Sequence, residues 1–182
     1  MVEQTKTRMT AAEFSQLSET NRLMELIDGE LIVTPSPMSS HQRLVQRIFG
    51  LIQTHMPDGE AMLAPMDVYL DELNAVQPDV FWLAPDSRCV ERSGYFYGAP
   101  ELVVEVVSPA TSTRDRRDKF DLYQRHGARE YWLADPAAQH IEVWQRQGEH
   151  FVRLGIFTEG GAFRSSALAK DLTLTGVFPA AQ

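Results

Sequence analysis

The chain has 182 residues, 43% hydrophobic and 23% charged, which suits a single α/β or α+β domain over residues 1–182 and excludes both a disordered chain and two ordinary domains. A formal net charge of −8 argues against broad nonspecific attraction to nucleic acid, which draws its strength from Lys and Arg releasing counterions, although a local basic groove stays open. One cysteine, Cys89, allows no intramolecular disulfide, residues 1–22 lack a secretory apolar core and no run is long enough to cross a bilayer, so a soluble cytoplasmic protein with no membrane partner is expected.

Thr10-Ala-Ala-Glu13 has capping-box spacing and predicts a short helix near 11–17, acting as a lid or brace. Leu23 to Val33 reads as two apolar arms around Asp28-Gly29, the pair that favours a type I′ hairpin turn, with Glu25 on the first arm. Pro35 and Pro37 stop the second arm. Ser39 or Ser40 then caps a long helix carrying Leu44, Val45, Ile48, Phe49, Leu51 and Ile52 at helical spacing. Strands are expected over Glu60–Leu70 and Val76–Leu83, with Pro78-Asp79 opening the second.

Leu102 to Val107 is β-branched and apolar on both faces except at Glu105, as suits a central strand covered on both sides. Ser108-Pro109 ends it and Thr111 to Thr113 offer caps. A charged helix then runs from Arg114 to His126 and stops at Gly127. Glu130 to Ala134 returns as a strand. Strands near Ile141–Gln145 and Phe151–Phe157, with turns at Gln147-Gly148 and Gly160-Gly161, form an antiparallel meander.

Two acids and a lysine recur in order along this framework: Asp79 before one strand, Glu105 inside the next and Lys119 on the following helix. Phosphodiester hydrolysis needs a hard cation with oxygen ligands, a water made more acidic by it, and positive charge near the developing phosphorane. Carboxylates on adjacent strands supply the ligands, and a lysine orients the water and stabilises charge.

The ordered series Glu25-Leu-Ile-Asp-Gly-Glu30, His41, Gln77-Pro-Asp79, Ala99-Pro-Glu-Leu-Val-Val-Glu105, Ser108-Pro109, Lys119-Phe-Asp-Leu-Tyr123 and Glu130-Tyr-Trp132 resembles the Uma-two family of restriction endonucleases, in the PD-(D/E)XK nuclease superfamily. The resemblance spans nearly the whole chain. It implies a restriction-endonuclease-like mixed central sheet flanked by helices, here with an antiparallel C-terminal extension. It also implies a Mg²⁺-dependent, or Mn²⁺-dependent, endonuclease acting on DNA, with Asp79 and Glu105 as metal ligands. Val107 stands where the simplest pattern has its lysine, and the resemblance assigns that role to Lys119. Glu25 joins the catalytic set as a further metal ligand or as the acid that positions a metal-bound water, His41 orients a phosphate or water, and Gln77 contacts the scissile phosphate.

Each residue also has a plainer reading. Asp79 after a proline stabilises turns, and Glu105 with Lys119 makes a buried salt bridge. Lys119 alone suits a solvated helix face near Asp115, while Tyr123, one turn on along the same face, reads either as a support for the lysine or, as is more common at that spacing, as core packing, and stays outside the catalytic set. Glu25 can be an exposed hairpin acid, His41 a cap, Gln77 a strand-edge pair, and the Arg114–Arg125 run an ion-paired surface. A catalytically inactive nuclease-fold domain that binds nucleic acid or protein is the alternative function, and hydrolysis of RNA or another phosphate ester is a third. A homodimer would let paired sites cut both strands of a duplex, but no segment specifies its interface.

Overall fold

The structure, a computed structural model, describes residues 8–17, 23–55, 58–108 and 115–178. Helix α1 (Ala11–Phe14) starts with the expected capping box: Glu13 N donates to Thr10 Oγ1 at 3.2 Å and Thr10 N donates to Glu13 Oε2 at 2.8 Å. It is a brace. Ala11 N bonds Glu72 O, Met9 N bonds Gly29 O, and Phe14 packs on Leu26, Tyr69 and Ala75.

Strands β1 (Leu23–Ile27) and β2 (Glu30–Thr34) form the expected hairpin, with Asp28 and Gly29 both in the left-handed region at φ 48° and 76°. A side chain at Gly29 would also strike Arg8 at 2.7 Å, so glycine serves both the turn and the close approach. Helix α2 (Ser39–His55) buries Leu44, Val45, Ile48 and Ile52, the stripe its spacing predicts.

Two of the expected strands each divide between two sheets. The run 60–70 turns at Ala64-Pro65 into β3 (Glu60–Leu63) and β4 (Val68–Asp71). The run 76–83 likewise becomes β5 (Asn74–Val76) and β6 (Val80–Leu83), with Gln77-Pro78-Asp79 crossing between the sheets. A hairpin the sequence reading did not anticipate follows, β7 (Val90–Arg92) and β8 (Tyr95–Tyr97). The first sheet is therefore β2-β1-β5-β4-β8-β7.

The second sheet centres on β9 (Leu102–Val106), whose five residues are all buried. It pairs antiparallel with β6 and parallel with β10 (Glu130–Asp135). Leu102, Val104 and Val106 join the α2 core, while Val103 and Val107 face the opposite core around Leu122 and Tyr123. Each such fully buried aliphatic side chain contributes roughly 1.5–3 kcal/mol. Alternation puts Glu105 on the Tyr123 side. The expected meander continues the sheet antiparallel as β11 (His140–Gln147) and β12 (His150–Phe157), and the order is β12-β11-β10-β9-β6-β3. A hairpin of β13 (Ala162–Ser165) and β14 (Lys170–Thr173) completes the antiparallel C-terminal extension.

The expected helix from Arg114 divides in the described part into a π-helical turn, Asp115–Lys119, and helix α3 (Phe120–His126), which Gly127 ends in the left-handed region at φ 89°. Pro109, the caps at Thr111–Thr113 and Arg114 lie outside the described residues. The result is the mixed α+β class that was expected, with the sheet in two mixed pieces rather than one.

Candidate active site

A cavity of about 480 Å³ is lined by Glu25, His41, Gln77, Asp79, Glu105 and Lys119 together, all six residues singled out in the sequence. The two-sheet architecture causes this convergence. Glu25 comes from β1 of the first sheet and Glu105 from β9 of the second, while Gln77 and Asp79 sit on the crossover joining them. His41 comes from the first turn of α2, and Lys119 is the last residue of the π-helical turn.

Lys119 is only 4% exposed, so it is not on the solvated face of its helix. Its Nζ donates to Glu105 Oε1 at 2.9 Å and lies 2.7 Å from Glu25 Oε1. A buried ammonium is tolerable only with such compensation. The same turn leaves Arg116, Arg117 and Asp118 exposed, and Arg116 pairs with Glu142 and, at 3.9 Å, with Asp135. Farther along, Arg125 pairs with Asp28 at 3.1 Å. Two arginines of the basic run are thus engaged in surface ion pairs, the plainer of its two readings.

Tyr123, for which the sequence offers support of the lysine or core packing, packs in the core and also bonds the acid that holds the lysine. It is fully buried, and its hydroxyl donates to Glu105 Oε1 at 2.9 Å. Burial, and next the negative charges of Glu105 and Glu25, push its phenol well above the usual range and keep it a neutral donor. The signal available in sequence was its i+4 spacing from Lys119, which an ordinary core aromatic shares.

Glu25 is 5% exposed, which removes the reading of it as a surface hairpin acid. Its Oε1 also accepts from Gln77 N at 2.9 Å, tying β1 to the crossover. Asp79 Oδ2 accepts from Val106 N at 2.8 Å and lies 3.2 Å from His41 Nε2. His41 therefore supports Asp79 directly. Gln77 Nε2 donates to Asp67 Oδ1 at 2.7 Å, which brings in an acid the sequence reading passed over. Burial raises the Asp67 carboxyl above its usual value, with the Glu25 charge adding and the Gln77 hydrogen bond opposing.

The donor chemistry fits a hard divalent cation. Asp79 and Glu105 offer carboxylate oxygens to one cavity, both contacts to Asp79 falling on Oδ2. Among the described residues no three or more His, Cys, Asp or Glu side chains gather into a metal cage. Magnesium does not need one, since it keeps several waters and binds through one or two carboxylates, whereas a structural zinc site takes four side chains.

Two mixed sheets thus meet at a cleft lined by acids and a lysine. The chain belongs to the Uma2 family, described as "Putative restriction endonuclease", whose model matches residues 11–176. It is similar to two uncharacterized Synechocystis sp. proteins, sll1609 and slr1290. The first is 28% identical over 82% of this chain and 87% of the relative, the second 26% identical over 78% and 76%. The fold also matches the crystal structure of "a putative nuclease belonging to DUF820" from Anabaena variabilis, with a TM-score of 0.77 and 22% identity, over 93% of this chain and 97% of that one. Among the described residues no helix is long and apolar enough to cross a membrane.

Proposed function

We propose that the protein is a metal-dependent endonuclease that hydrolyses phosphodiester bonds in DNA. The observation that supports this best is the meeting of Asp79, Glu105 and Lys119 in one cavity, from a crossover, a buried strand and a π-helical turn. Asp79 and Glu105 hold the cation, Mg²⁺ with Mn²⁺ as a substitute. When bound, the cation supplies Lewis acidity for the attacking water and charge to the phosphate. Lys119, fixed 2.9 Å from Glu105 and 2.7 Å from Glu25, offers positive charge where the phosphorane develops. Glu25 holds that ammonium in place, and His41 orients Asp79. Gln77 lies on the cavity wall as a candidate phosphate contact. A cytoplasmic site of action, and a homodimer that cuts both strands of a duplex, belong to the same proposal.

The test is incubation of the purified protein with linear, supercoiled, single-stranded and modified DNA, and with RNA, in Mg²⁺ or Mn²⁺. Cleavage of DNA that disappears in Asp79→Ala is the expected result. No cleavage above that variant on any substrate counts against the proposal.

One observation favours a second reading, a noncatalytic nuclease-fold domain. The Lys119 ammonium is already held between Glu25 and Glu105, an arrangement that also satisfies a purely structural buried ion pair. Tight, metal-independent DNA binding unchanged by Asp79→Ala distinguishes that reading.

A further inference from the structure

We propose that Gln77 serves the cavity as an acceptor, its Oε1 taking a hydrogen bond from the water shell of the cation; this rests on the reading of Asp79 and Glu105 as the metal-holding pair. An amide side chain has two unlike ends, a carbonyl oxygen that accepts and an NH2 group that donates. The two ends of Gln77 are in different circumstances. Nε2 donates to Asp67 Oδ1 at 2.7 Å, while Oε1 is buried and has no partner among the described residues. Gln77 lines the cavity, and Asp67 is not among its lining residues.

Asp67 sets the orientation of this amide. Turned over, the side chain would put Oε1 against a carboxylate oxygen, acceptor against acceptor, and give up its one described side-chain bond. The main chain is held too: Gln77 N donates to Glu25 Oε1 at 2.9 Å, and Pro78 confines the residue before it to extended backbone. What is left over is a buried acceptor, a costly group that folded proteins keep only rarely. A phosphodiester cannot answer it, because a diester presents acceptors alone. A hard cation can. Held by one or two carboxylates, it keeps several waters, and each is a donor polarised by the ion. Gln77 and Asp79 line the same cavity from one crossover, with only Pro78 between them. An amide also accepts without adding charge to a cavity that already holds Glu25, Asp79 and Glu105. The phosphate contact expected from the sequence would use the other end, Nε2, so the two roles are separable.

The experiment is a Mn²⁺ titration of the metal-free full-length protein, followed calorimetrically and by loss of the free-ion paramagnetic resonance signal. Wild type is expected to bind, and Asp79→Ala to bind much more weakly. Gln77→Met keeps the length of the side chain and removes both ends of the amide. It is expected to raise the Mn²⁺ Kd about tenfold, the loss typical of a group just outside a metal's ligands. Asp67→Asn combined with Gln77→Glu exchanges donor and acceptor between the two positions and keeps an oxygen for the cavity. This pair should bring the Kd back to the wild-type value or below it.

An unchanged Kd in Gln77→Met, with binding intact in wild type and lost in Asp79→Ala, overturns the role of Gln77 and leaves the metal pair standing. A Kd that the exchanged pair does not restore also overturns it. Absence of Mn²⁺ binding in wild type overturns both readings. Should Gln77→Met not fold, infrared difference spectra of wild type with and without Mn²⁺, labelled with carbon-13 at the glutamine amide carbon, decide the matter. The Gln77 band is assigned by its absence in the exchanged pair. A downward shift of that carbonyl stretch on adding Mn²⁺, the mark of a hydrogen bond gained by Oε1, supports the inference. A band that does not move contradicts it.

Discussion

Glu105 and Glu130 are both buried acids on neighbouring parallel strands, β9 and β10, yet their surroundings differ. Glu130 is saturated. Its Oε1 accepts from Trp132 Nε1 at 2.6 Å, and its Oε2 accepts from Gln145 Nε2, from Ser166 N and Oγ, and from Ala167 N. These bonds anchor the C-terminal segment between β13 and β14 onto the central sheet. Glu105 takes Lys119 and Tyr123 on one oxygen and lines a cavity. Burial of a carboxylate therefore does not mark a site. Its place does: Glu105 lines a cavity together with Asp79 and Lys119, whereas the oxygens of Glu130 are taken up by donors that hold the C-terminal segment on the sheet.

Exchanging the charge at each acid sharpens this contrast. Glu105→Gln is expected to lower metal-dependent cleavage by about 10³-fold, some 4 kcal/mol of transition-state stabilisation, with folding preserved, as cleavage kinetics and circular dichroism would show. Glu130→Ala should do the reverse. It strips buried donors of their acceptor and is expected to destabilise the fold by about 3 kcal/mol in urea unfolding, while the folded fraction binds Mn²⁺ as wild type does. A change in Mn²⁺ affinity there would collapse the distinction between the two acids.

Lys119→Met comes next, with an expected loss of about 10²-fold in cleavage and unaltered binding of short DNA. Stronger catalysis by this variant would be incompatible with a stabilising ammonium. The smallest effect is expected at Asp67, whose one described side-chain donor is Gln77. Burial raises its folded carboxyl above the unfolded value, so the folded protein binds this proton at higher pH than the unfolded chain. Its contribution to stability is thus gained as pH falls through the folded value and lost as pH rises through it. Asp67→Asn keeps an acceptor for Gln77 and removes that dependence, so its stability relative to wild type should be greatest near neutrality and shrink on acidification. Urea unfolding between about pH 4 and 7 reads the difference.

Local signals in the sequence were reliable where the cause was local. The Thr10–Glu13 capping box, the Asp28-Gly29 turn and the apolar stripe of α2 all appear as expected. The run around Glu105 was legible because an acid within a two-sided apolar strand is costly without partners. Sheet membership was not legible. Alternation with a period of two is the same in either sheet, so nothing in residues 60–70 or 76–83 announces that Ala64-Pro65 and Gln77–Asp79 pass from one sheet to the other. The strands β7 and β8 are three residues each, too short for a pattern. The Tyr123–Glu105 contact and the place of Asp67 were not legible for a related reason: the partners, Glu105 and Gln77, are 18 and 10 residues away along the chain, and only the folded chain pairs them.

Crystals of the protein soaked in Mn²⁺ and measured by anomalous scattering test the central claim most directly. One strong peak is expected within coordination distance of carboxylate oxygens from both Asp79 and Glu105, about 2.0–2.3 Å away. Saturating Mn²⁺ that leaves no peak between those two carboxylates would contradict it.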